Sequence, residues 1–249
     1  MNNSTSQKII AVIPARFAAT RFHAKLLQKL GDKSVILHTY QATVSTGLFH
    51  KVLVATDSPL IYDEITNNGG EAVMSLRTHE SGSDRIAEAI KDLDVDVVIN
   101  VQGDEPFIQK DALQKLVSLF DDPSVQVGSL MRPLKEESEI NSNSCVKVVV
   151  NKNNDALYFS RSVIPHAANA SATPDYYLHI GVYGFRKQTL LNFTQWPQAP
   201  LEQWEKLEQL RYLYNGVTIR MAEVNFHSIA IDTPEDLQRA QAKLDLEKK

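Results

Sequence analysis

Cysteine is nearly missing from this sequence. Cys145 stands alone, which excludes an internal disulfide framework and any metal site built from several thiolates, and it fits a reducing compartment. No basic residue lies beside Cys145 to activate it, so it is assigned no nucleophilic role. An excess of positive charge is also missing. Lys+Arg 26 against Asp+Glu 30 give a net charge of -4, whereas proteins that grip a nucleic-acid backbone carry a strong basic surplus. Nucleic acid is therefore excluded as the main partner, although a basic pocket for one small polyanion is not. Long apolar runs are absent too: Ile9 to Ile13 is typical, far short of a bilayer span. The stretch Met1 to Lys8 is polar and lacks the basic-then-apolar layout of a secretory signal. A soluble, cytoplasmic protein with no membrane partner is expected. Two phosphate-binding signatures are also wanting, the Gly-x-Gly-x-x-Gly turn and the Walker loop, so the standard dinucleotide and P-loop readings lose their support.

What is present is an alternation of strand-like and helix-like segments. The 249 residues, 43% of them hydrophobic, suit one large α/β domain or a domain with a sizeable insertion. Ile9 to Ile13, Lys51 to Ala55, Ala72 to Met74 and Val95 to Val101 read as strands. Helical patterns lie between them at Ser34 to Leu48, Ser58 to Thr66 and Ser83 to Leu93. This order predicts βαβ units and a mostly parallel sheet covered by helices on both faces. The second half is less regular. Strands are expected at Val125 to Leu130 and Val146 to Val150, an irregular arm over Ala156 to Pro174, and one helix over Leu201 to Leu213. An edge strand is expected at Thr218 to Val224, with a last helix opened by Thr233 and Pro234. The whole is read as a single domain, 1–249, with an insertion over roughly 125–200.

In such sheets ligands bind beyond the carboxyl ends of the strands, and three segments place unusual polar residues there. After the first strand come Ala15, Arg16, Arg21 and Lys25. Arginine binds phosphate oxygens bidentately and lysine acts as a point charge, so the cluster suits a polyphosphate clamp; an exposed basic loop would look the same. After the fourth strand, Gln102-Gly103-Asp104-Glu105 offers a carboxylate able to hold Mg²⁺, or to cap a turn. Asp232 directly precedes a helix, where capping explains Thr233 and Asp236 and would explain Asp232 equally. Further on, His79 to Arg85 could contact a nucleotide or simply cap the next helix. His179 and Tyr183 share one strand face, where a lone histidine is usually structural. Glu202, Glu205, Glu208 and Gln209 belong to a charged helix whose charges are expected to be mostly solvated.

The motifs taken in order narrow the choice. They run Ile13-Pro14-Ala15-Arg16 with Arg21 and Lys25, Val54-Ala55-Thr56-Asp57, His79 to Arg85, and Asn100 to Pro106. Ala156 to Arg161, His179 to Tyr183, Glu205 to Arg211 and Asp232 to Leu237 follow. Together they resemble the 3-deoxy-manno-octulosonate (KDO) cytidylyltransferases, the CMP-KDO synthetases of Gram-negative bacteria, across residues 9 to about 240. One departure lies in the first loop, where the family's Pro-Gly before the lysine is replaced by His23-Ala24. Another is Leu178, where family members often have arginine.

The resemblance implies a Rossmann-like nucleotidyltransferase fold with an inserted dimerisation and substrate region. It implies a cytoplasmic homodimer and a reaction of CTP with KDO, aided by Mg²⁺, for lipopolysaccharide synthesis. Asp104 and Asp232 would hold the metal, and Arg16, Arg21 and Lys25 would steady the triphosphate, with Arg16 and Lys25 counted as catalytic. Ala15, Thr56, Asp57, His79, Ser81, Gly82, Arg85 and Gln102 would hold the nucleotide. Gln102, Arg161, His179, Tyr183, Glu208 and Gln209 would hold the sugar acid. The alternatives are a cytidylyltransferase for a related sugar acid, 8-amino-KDO or sialic acid, and a nucleotide-binding relative that lacks activity.

Overall fold

A computed structural model describes residues 7–17, 22–79, 81–168, 174–225 and 229–247. The chain divides into two compact units, one formed by 1–113 with 227–249 and the other by 114–226.

The first unit is the alternating part. β1 (Ile9–Ala15) is apolar on both faces, with Ala11, Val12 and Ile13 fully covered, as a strand inside a parallel sheet requires. A short hairpin of β2 (Lys29–Leu30) and β3 (Lys33–Ser34) follows, turning at Gly31. Ser34 then caps α1 (Val35–Ser45) by accepting from the Leu37 N–H. β4 (Lys51–Thr56), α2 (Pro59–Thr66), β5 (Ala72–Met74), α3 (Gly82–Ile90) and β6 (Val97–Asn100) complete the run. β1 pairs in parallel with β4, Ile10 opposite Lys51 through Ala15 opposite Thr56, and with β6 on its other side; β4 pairs in parallel with β5. The parallel order is β6-β1-β4-β5. Ala15, Thr56 and Asn100 thus end their strands in the same direction, and the loops after them open at one end of the unit. α9 (Pro234–Glu247) closes it, capped by Thr233, whose hydroxyl accepts from the Asp236 N–H.

The second unit begins inside α4 (Lys110–Ser118). It holds β7 (Val127–Leu134), α5 (Glu137–Ile140), β8 (Lys147–Val150), β9 (Ala156–Ser160), β10 (Tyr176–Arg186), α6 (Lys187–Phe193), α7 (Pro200–Glu205), α8 (Leu210–Tyr214) and β11 (Ile219–Glu223). β10 runs antiparallel to β7 and to β8, β8 antiparallel to β9, and β11 joins β7 in parallel at an edge. Phe185 and Phe193 stack on Tyr212, and Trp196 meets it edge-on, forming an aromatic cluster.

The second unit runs over 114–226, with β11 pairing with β7, around the stretch 125–200 expected as an insertion. Two expectations need correction. The helix expected over Leu201 to Leu213 is two helices. Lys206 is left-handed (φ 55), and the Arg161 guanidinium takes the Glu205 and Lys206 carbonyls at 2.9 and 3.4 Å, so they leave the helical ladder. The charges there are also not merely solvated. Glu202 is buried and accepts from Arg211 Nε at 2.8 Å and Nη2 at 2.6 Å, and Gln209 is buried.

Candidate active site

The end of β6 and the start of α9 meet in the first unit. The Ile231 N–H donates to the Asp104 carbonyl at 3.0 Å, which sets Asp232 beside Asp104. The loop carrying Asp104 is fixed from below. Thr39 Oγ1 donates to the Gly103 carbonyl at 2.9 Å, and a Cβ on Gly103 would meet Ile36 Cδ1 at 3.1 Å and the Pro14 carbonyl at 3.3 Å. A side chain at this position would crowd both, so glycine suits the close approach of the loop to β1. At the start of α9 Thr233 and Asp236 cap reciprocally: Thr233 Oγ1 accepts the Asp236 N–H, and the Asp236 carboxylate accepts the N–H groups of Asp232 and Thr233 at 3.0 and 2.9 Å. The Asp232 carboxylate is therefore not the cap. It faces Lys25 instead.

Lys25 Nζ donates to Asp104 at 2.5 Å and to Asp232 at 2.7 Å. Burial alone would lower its pKa; the two carboxylates outweigh burial and raise it. Lys25 follows Ala24, which is left-handed (φ 49) at the position where the resembling family carries glycine. Glu105 lies next in the loop, 8% exposed. Burial first, then the charges of Asp104 and Asp232, push its pKa up to about 8, with Lys25 opposing. Two carboxylates close enough to share one ammonium fit the donor set of Mg²⁺, which takes one or two carboxylates and fills its shell with water and phosphate.

A cavity of about 260 Å³ in the same unit is lined by Pro14, Ala15, Arg16, His79, Ser81, Gly82, Arg85 and Gln102. Ser81 caps α3 through the Asp84 N–H, at 3.1 Å, so the helix starts at the cavity wall. Arg85 projects from α3, 4% exposed, donates to the Ala15 carbonyl, and pairs with Asp57 at 2.6 Å. Its Nε is buried with no hydrogen-bond partner among the described residues. Of the residues expected to hold a nucleotide, Ala15, Arg16, His79, Ser81, Gly82, Arg85 and Gln102 line the cavity, and Asp57 supports it through Arg85. Thr56 is buried and accepts from the Ser58 N–H at 3.1 Å, a turn contact rather than part of the lining. Arg21 lies outside the described residues.

In the second unit, His179 and Tyr183 lie 5.3 Å apart, ring to ring. Burial drives His179 down to about 3. Burial, then the charge of Glu208, drives Tyr183 well above its usual value. The side-chain amide nitrogen of Gln209 is buried without a partner among the described residues, a donor left over for something outside the chain. Arg161 behaves differently from expectation: its guanidinium is taken up by the carbonyls of Glu205, Asn143 and Lys206. Glu205, expected among the solvated charges, instead accepts Ser160 Oγ at 2.6 Å and the Arg161 N–H at 3.0 Å. Lys147, which no sequence motif marks, is fully buried and donates to the carbonyls of Ser142, Cys145 and Arg161. Glu205 lies 45 residues from Ser160 in the chain, and the contacts of Lys147 depend on the folded sheet, so neither carries a local signal.

Comparison with known proteins places this geometry in a class. The cytidylyltransferase family profile matches residues 10–219, and the α/β fold is that of a nucleotidyltransferase. A 3-deoxy-manno-octulosonate cytidylyltransferase of Flavobacterium johnsoniae is 58% identical over 240 residues, covering 95% of this chain and 98% of its own. One from Christiangramia forsetii is 48% identical over 247 residues, covering 98% and 100%. The solved structure of CMP:2-keto-3-deoxy-manno-octonic acid synthetase complexed with CTP superposes with a TM-score of 0.92 at 38% identity, covering 97% of this chain and all of that one. The chain belongs to the 3-deoxy-manno-octulosonate cytidylyltransferase family.

Proposed function

We propose that the chain transfers the cytidylyl group of CTP to KDO, giving CMP-KDO and diphosphate. The anomeric 2-hydroxyl of KDO attacks the α-phosphorus, the bond to the β-phosphate breaks, and the hydroxyl proton is lost. Such a transfer asks the protein for in-line positioning and for cancellation of phosphate charge, not for covalent chemistry. The observation that carries the reading is Asp104 and Asp232 converging on one cation in the unit that also holds the nucleotide cavity.

Each residue then has a task. Arg16 and Lys25, with Arg21, supply positive charge to the triphosphate. Ala15, His79, Ser81, Gly82, Arg85 and Gln102 wall the cytidine, with Thr56 and Asp57 beneath. Asp104 and Asp232 would hold Mg²⁺, which when bound neutralises phosphate charge and lowers the pKa of a hydroxyl beside it. His179, Tyr183, Glu208 and Gln209 would bind the sugar acid, the spare amide of Gln209 serving as a donor, with Gln102 and Arg161 completing the set. CMP-KDO made this way would feed lipopolysaccharide synthesis in the cytoplasm, and no helix among the described residues is long and apolar enough to cross a membrane. The proposed homodimer is supported by large apolar side chains left in water, Trp204 at 77% exposure and Leu157 at 61%.

Release of diphosphate on mixing the protein with CTP, Mg²⁺ and KDO tests the reading, with sialic acid and 8-amino-KDO in parallel. Release with KDO above either rival supports it. No release with any of the three sinks it in favour of a nucleotide-binding protein without activity.

A further inference from the structure

His179 and Tyr183 stand four residues apart on β10, which in a regular strand is a separation of about 13 Å. Their rings are 5.3 Å apart. A bulge shortens the strand between them. Ile180 faces Leu130 of β7 and Tyr183 faces Ser129, so β10 advances three residues while β7 advances one. Gly181 and Val182 are the extra pair, and such insertions bend a strand and re-aim its side chains. Because two residues are added and side chains alternate with a period of two, His179 and Tyr183 stay on one face. Both are partly exposed there, whereas Ile180 and Val182 between them are buried.

One side chain gathers this bulge. Ser129 is fully buried on β7. Its Oγ lies 3.2 Å from the Ile180 carbonyl, 2.9 Å from the Val182 carbonyl and 3.2 Å from Nε2 of His179. A hydroxyl carries one proton and two lone pairs, so it donates to the bulge carbonyls and has lone pairs left for the ring. The carbonyls need that partner. A bulge takes backbone groups out of the ladder, and a buried carbonyl without a hydrogen bond is costly. Without the hydroxyl the bulge loses its pin, and the strand is free to relax toward a longer spacing with the two rings drawn apart.

We propose that Ser129 is a positioning residue for sugar-acid binding: its hydroxyl pins the bulge in β10 and so holds the His179 and Tyr183 rings side by side. The inference rests on the reading of those two residues as sugar-acid partners, and it adds the group that sets their spacing. A polyhydroxylated acid is held by a few polar groups at fixed positions, and a misplacement of about 1 Å is enough to cost a large factor. Ser129 lies in none of the sequence motifs, because its task depends on the pairing of β7 with β10.

The test uses the intact protein as wild type, Ser129→Ala, Ser129→Cys and Val127→Ala. Alanine removes the hydroxyl. Cysteine keeps a group of similar shape that donates only weakly. Val127 is fully buried on β7, opposite Phe185 and outside the bulge, so its truncation weakens the strand pair without touching the pin. Proton NMR cross-peaks between the His179 and Tyr183 rings are read without substrate, and KM for KDO and for CTP from diphosphate release. Ser129→Ala should weaken the ring-to-ring cross-peak at least about twofold and raise KM for KDO at least about tenfold, with kcat and KM for CTP within about threefold. Ser129→Cys should fall between alanine and wild type. Val127→Ala should lower the unfolding temperature and leave the cross-peak and both KM values in place. An unchanged cross-peak in Ser129→Ala overturns the proposal. So does a lost cross-peak with KM for KDO unchanged. An equal rise in both KM values, or a rise in KM for KDO as large in Val127→Ala, marks a merely structural contact and overturns it too. If Ser129→Ala does not fold, Ser129→Cys decides by the same readings. Failure of the wild type to release diphosphate with KDO strikes the transferase reading, and the calorimetric Kd for KDO then replaces KM. No KDO binding by the wild type overturns the sugar-acid reading and this proposal together.

Discussion

The Ile231 N–H donates to the carbonyl of Asp104 at 3.0 Å, tying the loop after β6 to the start of α9. That single bond explains how two aspartates far apart in the chain come to share one partner. Thr233 and Asp236 cap α9 between them, so the Asp232 carboxylate is not the cap and pairs with Lys25 beside Asp104.

If these carboxylates hold the metal, Asp104→Asn and Asp232→Asn should each fold and lose nearly all turnover, because one charge of the pair is gone while shape is kept. Steady-state assays at saturating Mg²⁺ check this. A variant that retains more than about a tenth of wild-type kcat, a loss under roughly 1.4 kcal/mol, shows that its aspartate is not a ligand.

Lys25 is expected to stabilise the metal-free protein. Lys25→Met leaves Asp104, Asp232 and Glu105 facing one another, and should cost about 2–3 kcal/mol. Because folding raises the pKa of Lys25, its contribution is complete below the ordinary lysine value of 10.5 and is lost only as pH climbs through the higher folded value. Urea unfolding of wild type and variant should therefore show a gap that stays open from about pH 7 to 9 and widens above pH 8, because removing Lys25 lets the Glu105 value of about 8 climb further. Mg²⁺ should raise the midpoint of the variant more than that of wild type. A gap that closes within this neutral range contradicts the ion-pair assignment.

His179 has the opposite sign. Its folded pKa, about 3, is below the ordinary 6.5, so the unfolded chain binds the proton first and stability falls as pH drops from 6.5 towards 3. This one group contributes up to about 1.4 kcal/mol per pH unit in that window. His179→Gln should flatten the acid limb of the stability curve measured by chemical denaturation. An unchanged limb means that the histidine protonates in the folded state.

Burial also makes Glu202 and Arg211 interdependent. Glu202→Ala strands a buried guanidinium that otherwise stacks over Phe193 at 4.2 Å, and should cost about 3–5 kcal/mol. Thermal unfolding reads this directly, and a loss below about 1 kcal/mol would place the pair in the weak, solvated class.

Much of the first unit was legible because its signals are local. Apolar runs such as Ile9 to Ile13, caps such as Ser34, and polar residues just after strands each declare themselves within a few positions. The carboxylates of Asp104 and Asp232 could be named, but not their meeting, since the bond from Ile231 depends on the folded sheet. The second unit was less legible. Its strand pairing is non-local, β11 returning to β7, and the apolar spacing of Leu207, Leu210 and Leu213 suggested a continuous helix. Only the arginine drawn from the end of β9 reveals the break at Lys206.

Ala24 supplies the last test. It occupies φ 49, a region that costs a residue with a Cβ about 1–2 kcal/mol, and it stands where related sequences have glycine. Ala24→Gly removes that strain, but glycine gives back part of the gain through the greater freedom of the unfolded chain. The net expectation is stabilisation of up to about 1 kcal/mol, with kcat/KM for CTP unchanged or slightly improved, since Lys25 keeps its place one residue on. Denaturation and CTP kinetics on the single variant check both halves. Destabilisation by more than about 0.5 kcal/mol would mean that the Ala24 methyl contributes packing that outweighs its strain. A drop in kcat/KM of more than about threefold would mean that the stiffness of this turn, rather than the charge of Lys25 alone, holds the loop in its working form.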